Sequence, residues 1–75
     1  MPKLPRVSGA AAIRALEKLG FVRVRQRGSH VVLKKKSSTG AIGCVVPLHR
    51  ELATGTLHEI LNQTQVDPET FMKMI

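Results

Sequence analysis

The sequence predicts a small α+β fold: a three-stranded antiparallel sheet with helices on one face, in the order α-β-β-β-α, and a short C-terminal helix. Three observations predict it. Residues 9–20 carry a helical apolar stripe closed by glycine, 21–47 hold three runs rich in β-branched residues separated by turn residues, and two helix-start signals follow residue 55. Seventy-five residues make one domain, 1–75, near the lower end of what buries a self-sufficient core.

Residues 1–7, with Pro2 and Pro5, read as an extended lead-in. Ser8 suits an N-cap, Ala12, Ile13, Leu16 and Leu19 form the stripe, and Gly20 stops the helix, which places it at about 9–19. Strand one covers about 21–27 and strand two about 30–35. Gly28-Ser29 between them is what a two-residue type II′ turn requires, with glycine at the first central position. Ser37-Ser38-Thr39-Gly40 is a turn by composition, and Ala41 to Pro47 gives a third strand with Ile42, Cys44 and Val46 on one face. A loop from Leu48 to Gly55 follows. Thr56-Leu57-His58-Glu59 matches a capping box with Thr56 as N-cap, and Leu57, Ile60 and Leu61 form the stripe of a helix ending near Gln63 or Thr64. Asp67-Pro68 opens the last helix, whose apolar face is Phe71, Met74 and Ile75.

The hairpin organises the charge. Of twelve Lys and Arg, six lie between Arg23 and Lys36, and no acid occurs from Lys18 to Arg50. With the turn at Gly28-Ser29, Arg27 pairs with His30, Arg25 with Val32 and Arg23 with Lys34, so these share a face. Val22, Val24, Val31 and Leu33 then fall on the opposite, apolar face. A slip of one residue would move His30 to the core side. Net charge of +7 and this clustering point to a polyanion such as RNA lying on the open basic face, rather than to a merely solvated face. There is no Trp or Tyr, so contacts to phosphate and ribose are expected instead of base stacking.

Other functions are set aside on residue chemistry. The single cysteine, Cys44, permits no intramolecular disulfide and fits a reducing compartment, where it packs in a strand. Arg14 interrupts the apolar N-terminal run, so no signal peptide or membrane span is expected, and a cytoplasmic location is. His30, His49 and His58 have spacings that match no common zinc pattern, and no metal or other cofactor is expected. Ser29 lacks an acidic orienter nearby and reads as a turn residue. Nothing resembles a helix-turn-helix with a basic recognition helix, which disfavours DNA.

R-V-S-G at 6–9, L-E-K-L-G-F at 16–21, R-Q-R-G-S-H at 25–30, V-P-L-H at 46–49 and G-T-L-H-E-I-L at 55–61 together resemble the HicA (YcfA-type) mRNA interferases. The resemblance runs from about Ser8 to Phe71. It implies a fold like the double-stranded RNA-binding domain, metal-independent cleavage of mRNA, and a toxin role opposite a HicB-like antitoxin that covers the basic face. The family's catalytic histidine falls on His30. The Ala10-Ala11-Ala12 run is plainer than the polar helix start usual in the family.

RNA carries its own nucleophile, the 2′-OH. Cleavage needs a base for that proton, an acid for the leaving 5′-oxygen, and cations for the developing phosphorane charge. His30 suits the proton transfers, and Arg23, Arg25, Arg27, Lys34 and Lys36 with the turn residues Gly28 and Ser29 are the candidate RNA contacts. His49 is either a second acid–base group, if its loop returns to the hairpin, or a loop-capping residue. His58 reads as exposed and inert. Two readings remain: a ribonuclease toxin, or a non-catalytic RNA-binding module using the same face.

Overall fold

The computed structural model describes residues 4–75, as α1 (Gly9–Lys18), β1 (Val22–Arg27), β2 (His30–Ser37), β3 (Gly40–Pro47), α2 (Thr54–Thr64) and α3 (Pro68–Met74). Of the expected lead-in, residues 1–3 lie outside the described residues. The sheet is an antiparallel meander in the order β1-β2-β3. Its central strand, β2, sends Val31 and Leu33 into the core, where they meet Cys44 and Val46 of β3 and the apolar stripes of the helices. Ile13 and Leu16 come from α1, Leu57, Ile60 and Leu61 from α2, and Phe71 from α3. The helices therefore cover one face of the sheet, and the other is left open.

Local chemistry fixes most boundaries. Ser8 is the N-cap of α1, its hydroxyl accepting from Ala11 N at 3.0 Å, which satisfies one of the orphan donors of the first turn. Asp67 caps α3 in the same way, accepting from Glu69 N and Thr70 N, with Pro68 at the first helical position. The stop after α1 is Gly20, at φ +101. The C-terminus of α2 turns through Gln65, a non-glycine residue at φ 59, while buried Thr64 returns its hydroxyl to Ile60 O at 2.8 Å.

Three expectations are corrected. The second helix begins at Thr54, not after Thr56: Ala53 is the N-cap and no side chain caps the helix, so the capping box does not form. Leu52 is the reason. It is buried, and its N–H donates to Val7 O at 2.7 Å, so tertiary anchoring turns the chain into the helix before Thr56 is reached. Secondly, strand two continues to Ser37 because β3 pairs with it along its whole length, to Ser37↔Gly40. Thirdly, Ile75 is 52% exposed and does not join Phe71 in the core.

The start of α1 is wedged against the end of β3. Gly9 N donates to His49 O at 2.9 Å, and a Cβ on Gly9 would stand 1.9 Å from Pro47 O, a backbone atom that cannot swing aside. Gly55, in the first turn of α2, has open space where a Cβ would stand. The same substitution should thus act in opposite directions. Gly9→Ala is expected to destabilise by about 1–3 kcal/mol or more through backbone displacement, and Gly55→Ala to stabilise by up to about 1 kcal/mol. Urea denaturation of the two variants checks both signs.

Candidate functional site

Gly28 has φ +56, and Ser29 is not among the residues of positive φ. This is the pattern of a type II′ turn, and it pairs Arg27 with His30 as the sequence predicts. Alternation along β2 then places His30, Val32, Lys34 and Lys36 opposite the buried Val31 and Leu33, on the open face. Neighbouring strands complete rows across that face. Arg27, His30 and Pro47 form the row at the turn end, followed by Arg25, Val32 and Val45. Beyond them Lys34 lies beside Gly43, and Lys36 beside Ala41. The face thus combines one histidine with four cations, Arg25, Arg27, Lys34 and Lys36. All five residues are exposed, as are Gly28 and Ser29.

Arg23 does not join them. The β1–β2 register shifts between Arg23 and Arg25, so Arg23 pairs with Leu33 and Val22 with Lys34, in place of the expected Arg23–Lys34 pair. Val24 is the extra residue of a β-bulge. Arg23 is carried to the helix side, where its Nε meets Glu17 Oε2 of α1 at 3.3 Å. Val22 and Val24, expected in the core, are 60% and 52% exposed. Nothing in the strictly alternating V-R-V-R signals the bulge. It lies on an edge strand, where one unpaired side leaves room for an inserted residue.

The loop after β3 returns to the hairpin. Leu48 N donates to Ser29 O at 2.6 Å, and the His49 carbonyl holds the first N–H of α1. The segment bearing His49 is therefore fastened between the turn before His30 and the start of α1. Its imidazole is exposed. Sequence reasoning identified His49 but not this anchoring, which rests on backbone hydrogen bonds between segments distant in the chain. His58 is half-buried on α2. Lys35 points to the helix side, donates to Leu19 O at 2.7 Å and stands 5.7 Å from the Phe21 ring centre, so its role is packing.

A family model for the HicA toxin of bacterial toxin–antitoxin systems matches residues 9–66. The chain belongs to the HicA toxin family. Among curated proteins no sequence matches it significantly. Family membership carries a toxin role in a toxin–antitoxin system and, with it, an antitoxin partner. The matched span includes the whole open face of this HicA chain, from β1 to the end of β3, together with the His49 loop.

Among the described residues no three His, Cys, Asp or Glu side chains gather into a metal-binding group, and no helix is long and apolar enough to cross a membrane. Cys44 is buried on the core face, and desolvation there raises its thiol from 9.0 to about 11. The folded state therefore favours the neutral thiol. Its contribution to stability is intact below pH 9 and lost as the pH climbs from 9 toward 11, because only the unfolded chain releases the proton in that window. The denaturant midpoint of the native chain should fall more steeply across that window than that of Cys44→Ala. Below pH 9 the difference between the two should not change with pH, and a thiol-specific chromogenic reagent should react with folded protein only slowly.

Proposed function

We propose that this HicA chain is a metal-independent endoribonuclease, an mRNA interferase whose acid–base group is His30, held in check by a HicB-like antitoxin. The observation that carries the reading is the position of His30. It is the first residue of β2, exposed on the helix-free face, with Arg27 across one strand gap and the β3 end across the other. The family match and a fold order shared with double-stranded RNA-binding domains support RNA as the polyanion.

In this mechanism the chain supplies what RNA lacks. Neutral His30 takes the 2′-OH proton as the oxygen attacks the adjacent phosphorus, while Arg27 and Arg25 hold the phosphate and offset the charge of the phosphorane. Collapse expels the 5′-oxygen, which must be protonated, and leaves a 2′,3′-cyclic phosphate. The anchoring of the Leu48–His49 segment on Ser29 favours His49 as the group that gives the second proton. Lys34 and Lys36 lie farther along the face and would bind flanking phosphates, with Gly28 and Ser29 bounding the site at the turn. A cytoplasmic location, where mRNA is available, belongs to the same reading.

The test is incubation of the purified chain with a defined single-stranded RNA in EDTA, followed by analysis of fragment ends. The native chain should cleave and leave 2′,3′-cyclic phosphates. His30→Ala should lose about 10²- to 10⁴-fold in rate while its RNA affinity changes little, and His49→Ala should lose about 10²-fold. Ends carrying 3′-hydroxyl groups would refute the mechanism. An unchanged rate in His30→Ala would remove His30 from it. RNA bound without cleavage would leave a binding module on the same face.

A further inference from the structure

We infer that the backbone N–H of Ser29 points onto the open face and is a fixed hydrogen-bond donor for a non-bridging oxygen of the phosphate on which His30 acts. The inference rests on the ribonuclease reading above and deepens it by naming a group that meets the charge of the phosphorane. The Gln26 side chain donates from Nε2 to Gly28 O at 3.0 Å. Gln26 pairs with the buried Val31, so its side chain leaves β1 on the helix side, opposite Arg25 and Arg27. The Gly28 carbonyl is thereby held toward the helix side of the turn.

A peptide unit is planar and trans, so its N–H points away from its C=O. With the Gly28 carbonyl on the helix side, the Ser29 N–H faces the open side, beside the Arg27–His30 pair that the turn joins. The dihedral angles agree. Types I′ and II′ share the two-residue loop and differ by a flip of this central peptide; type I′ requires positive φ at both central positions, and here only Gly28, at φ +56, has it. Ser29 is fastened on its other side as well, its carbonyl accepting from Leu48 N at 2.6 Å. Among the described residues nothing accepts from the Ser29 N–H, and Ser29 is exposed.

Attack by the 2′-oxygen moves negative charge onto the non-bridging oxygens of the phosphorus. A backbone donor whose neighbouring carbonyls are both hydrogen-bonded meets that charge already in place. Arg25 and Arg27 are long, exposed side chains that must give up rotamer freedom to do the same. The Ser29 hydroxyl likewise has to be ordered by rotation before it can donate. The two kinds of donor therefore divide the work: the arginines attract the phosphate, and the N–H fixes one of its oxygens next to His30.

The double variant Gly28→Asn/Ser29→Gly tests the orientation. Asn-Gly favours the type I′ turn, which keeps the loop length and the Arg27–His30 pair but turns the central N–H to the helix side. Ser29→Ala removes the hydroxyl and keeps the amide. On a defined single-stranded RNA, the double variant should lose about 10²- to 10³-fold in kcat with KM within about threefold, and the loss should exceed that of Ser29→Ala by about tenfold or more. In the native chain the Ser29 amide proton should move downfield on binding the 2′-deoxy form of that RNA, which lacks the nucleophile and stays intact. Cross-strand NOEs between β1 and β2 report whether the double variant keeps its register. A double variant in register that cleaves within about threefold of the native rate would overturn the inference. Equal losses in the double variant and Ser29→Ala would also overturn it, giving the role to the hydroxyl. If the double variant loses its register, the amide shift decides: a Ser29 amide proton that stays in place while the Arg25 and Arg27 signals move overturns the inference. A native chain whose Ser29 amide responds to the bound oligonucleotide but which cleaves no RNA would instead overturn the ribonuclease reading and leave the phosphate contact standing.

Discussion

The backbone conformation at Gly28 sets the register on which the open face depends. A two-residue turn with φ +56 at its first central position brings Arg27 opposite His30, and the pairs Gln26↔Val31 and Arg25↔Val32 follow from that one, up to the bulge at Val24. Because side chains alternate, the burial of Val31 and Leu33 and the exposure of His30, Lys34 and Lys36 are a single fact. A slip of one residue would drive a histidine and two lysines into the core beneath α1 and α2. Unpaired charges there cost several kcal/mol each, so the alternative register is not a competitor. The opposite strand pair reinforces the choice, since β3 matches β2 from His30↔Pro47 to Ser37↔Gly40 without interruption.

A second set of constraints fastens the turn end of the sheet to the helical layer. Leu48 donates to Ser29, Gly9 to His49 and Leu52 to Val7, three backbone bonds between segments far apart in sequence. Together they give the loop between β3 and α2 a fixed path without regular structure, and they use donors and acceptors that would otherwise be orphaned at element ends. The close approach they require explains Gly9, where a side chain would collide with the Pro47 carbonyl. The residues around His30 are thus held from two sides: by the sheet register, and by the loop that returns across its end.

What the sequence made legible follows from how local each determinant is. The caps at Ser8 and Asp67, the Gly28-Ser29 turn and the stripes of α1 and α2 are properties of a few consecutive residues, and all are found where they were read. The capping box at Thr56 was also a local signal, but it lost to Leu52, whose burial and bond to Val7 depend on distant segments. The bulge at Val24 was illegible for a different reason. Strict alternation in β1 is compatible with either register, and the ion pair that rewards turning Arg23 toward α1 requires knowing where Glu17 will lie. His30, Arg25, Arg27, Lys34 and Lys36 kept their predicted face because they lie on the turn side of the bulge or on β2. Arg23 changed sides because it lies beyond the bulge.

The bulge also gives the face its chemical gradient. By removing Arg23 it concentrates the β1 cations at Arg25 and Arg27, beside His30, and by exposing Val22 and Val24 it makes the other end apolar between lysines. These ends act over different ranges. Attraction of a polyanion to the arginines extends over about 8 Å at physiological salt, whereas an apolar contact exists only when surfaces touch and water has left. A polyanion is therefore gathered by the whole face and held most closely at the turn end, where the arginines stand, while a ligand with an apolar side chain gains most at the far end. Lys34 and Lys36 belong to both fields, so two ligands that use opposite ends would still compete for the same charge in the middle. On such a face any ligand that covers Lys34 and Lys36 lowers the attraction for a polyanion even where it leaves the histidine untouched, because it neutralises charge that both ends share.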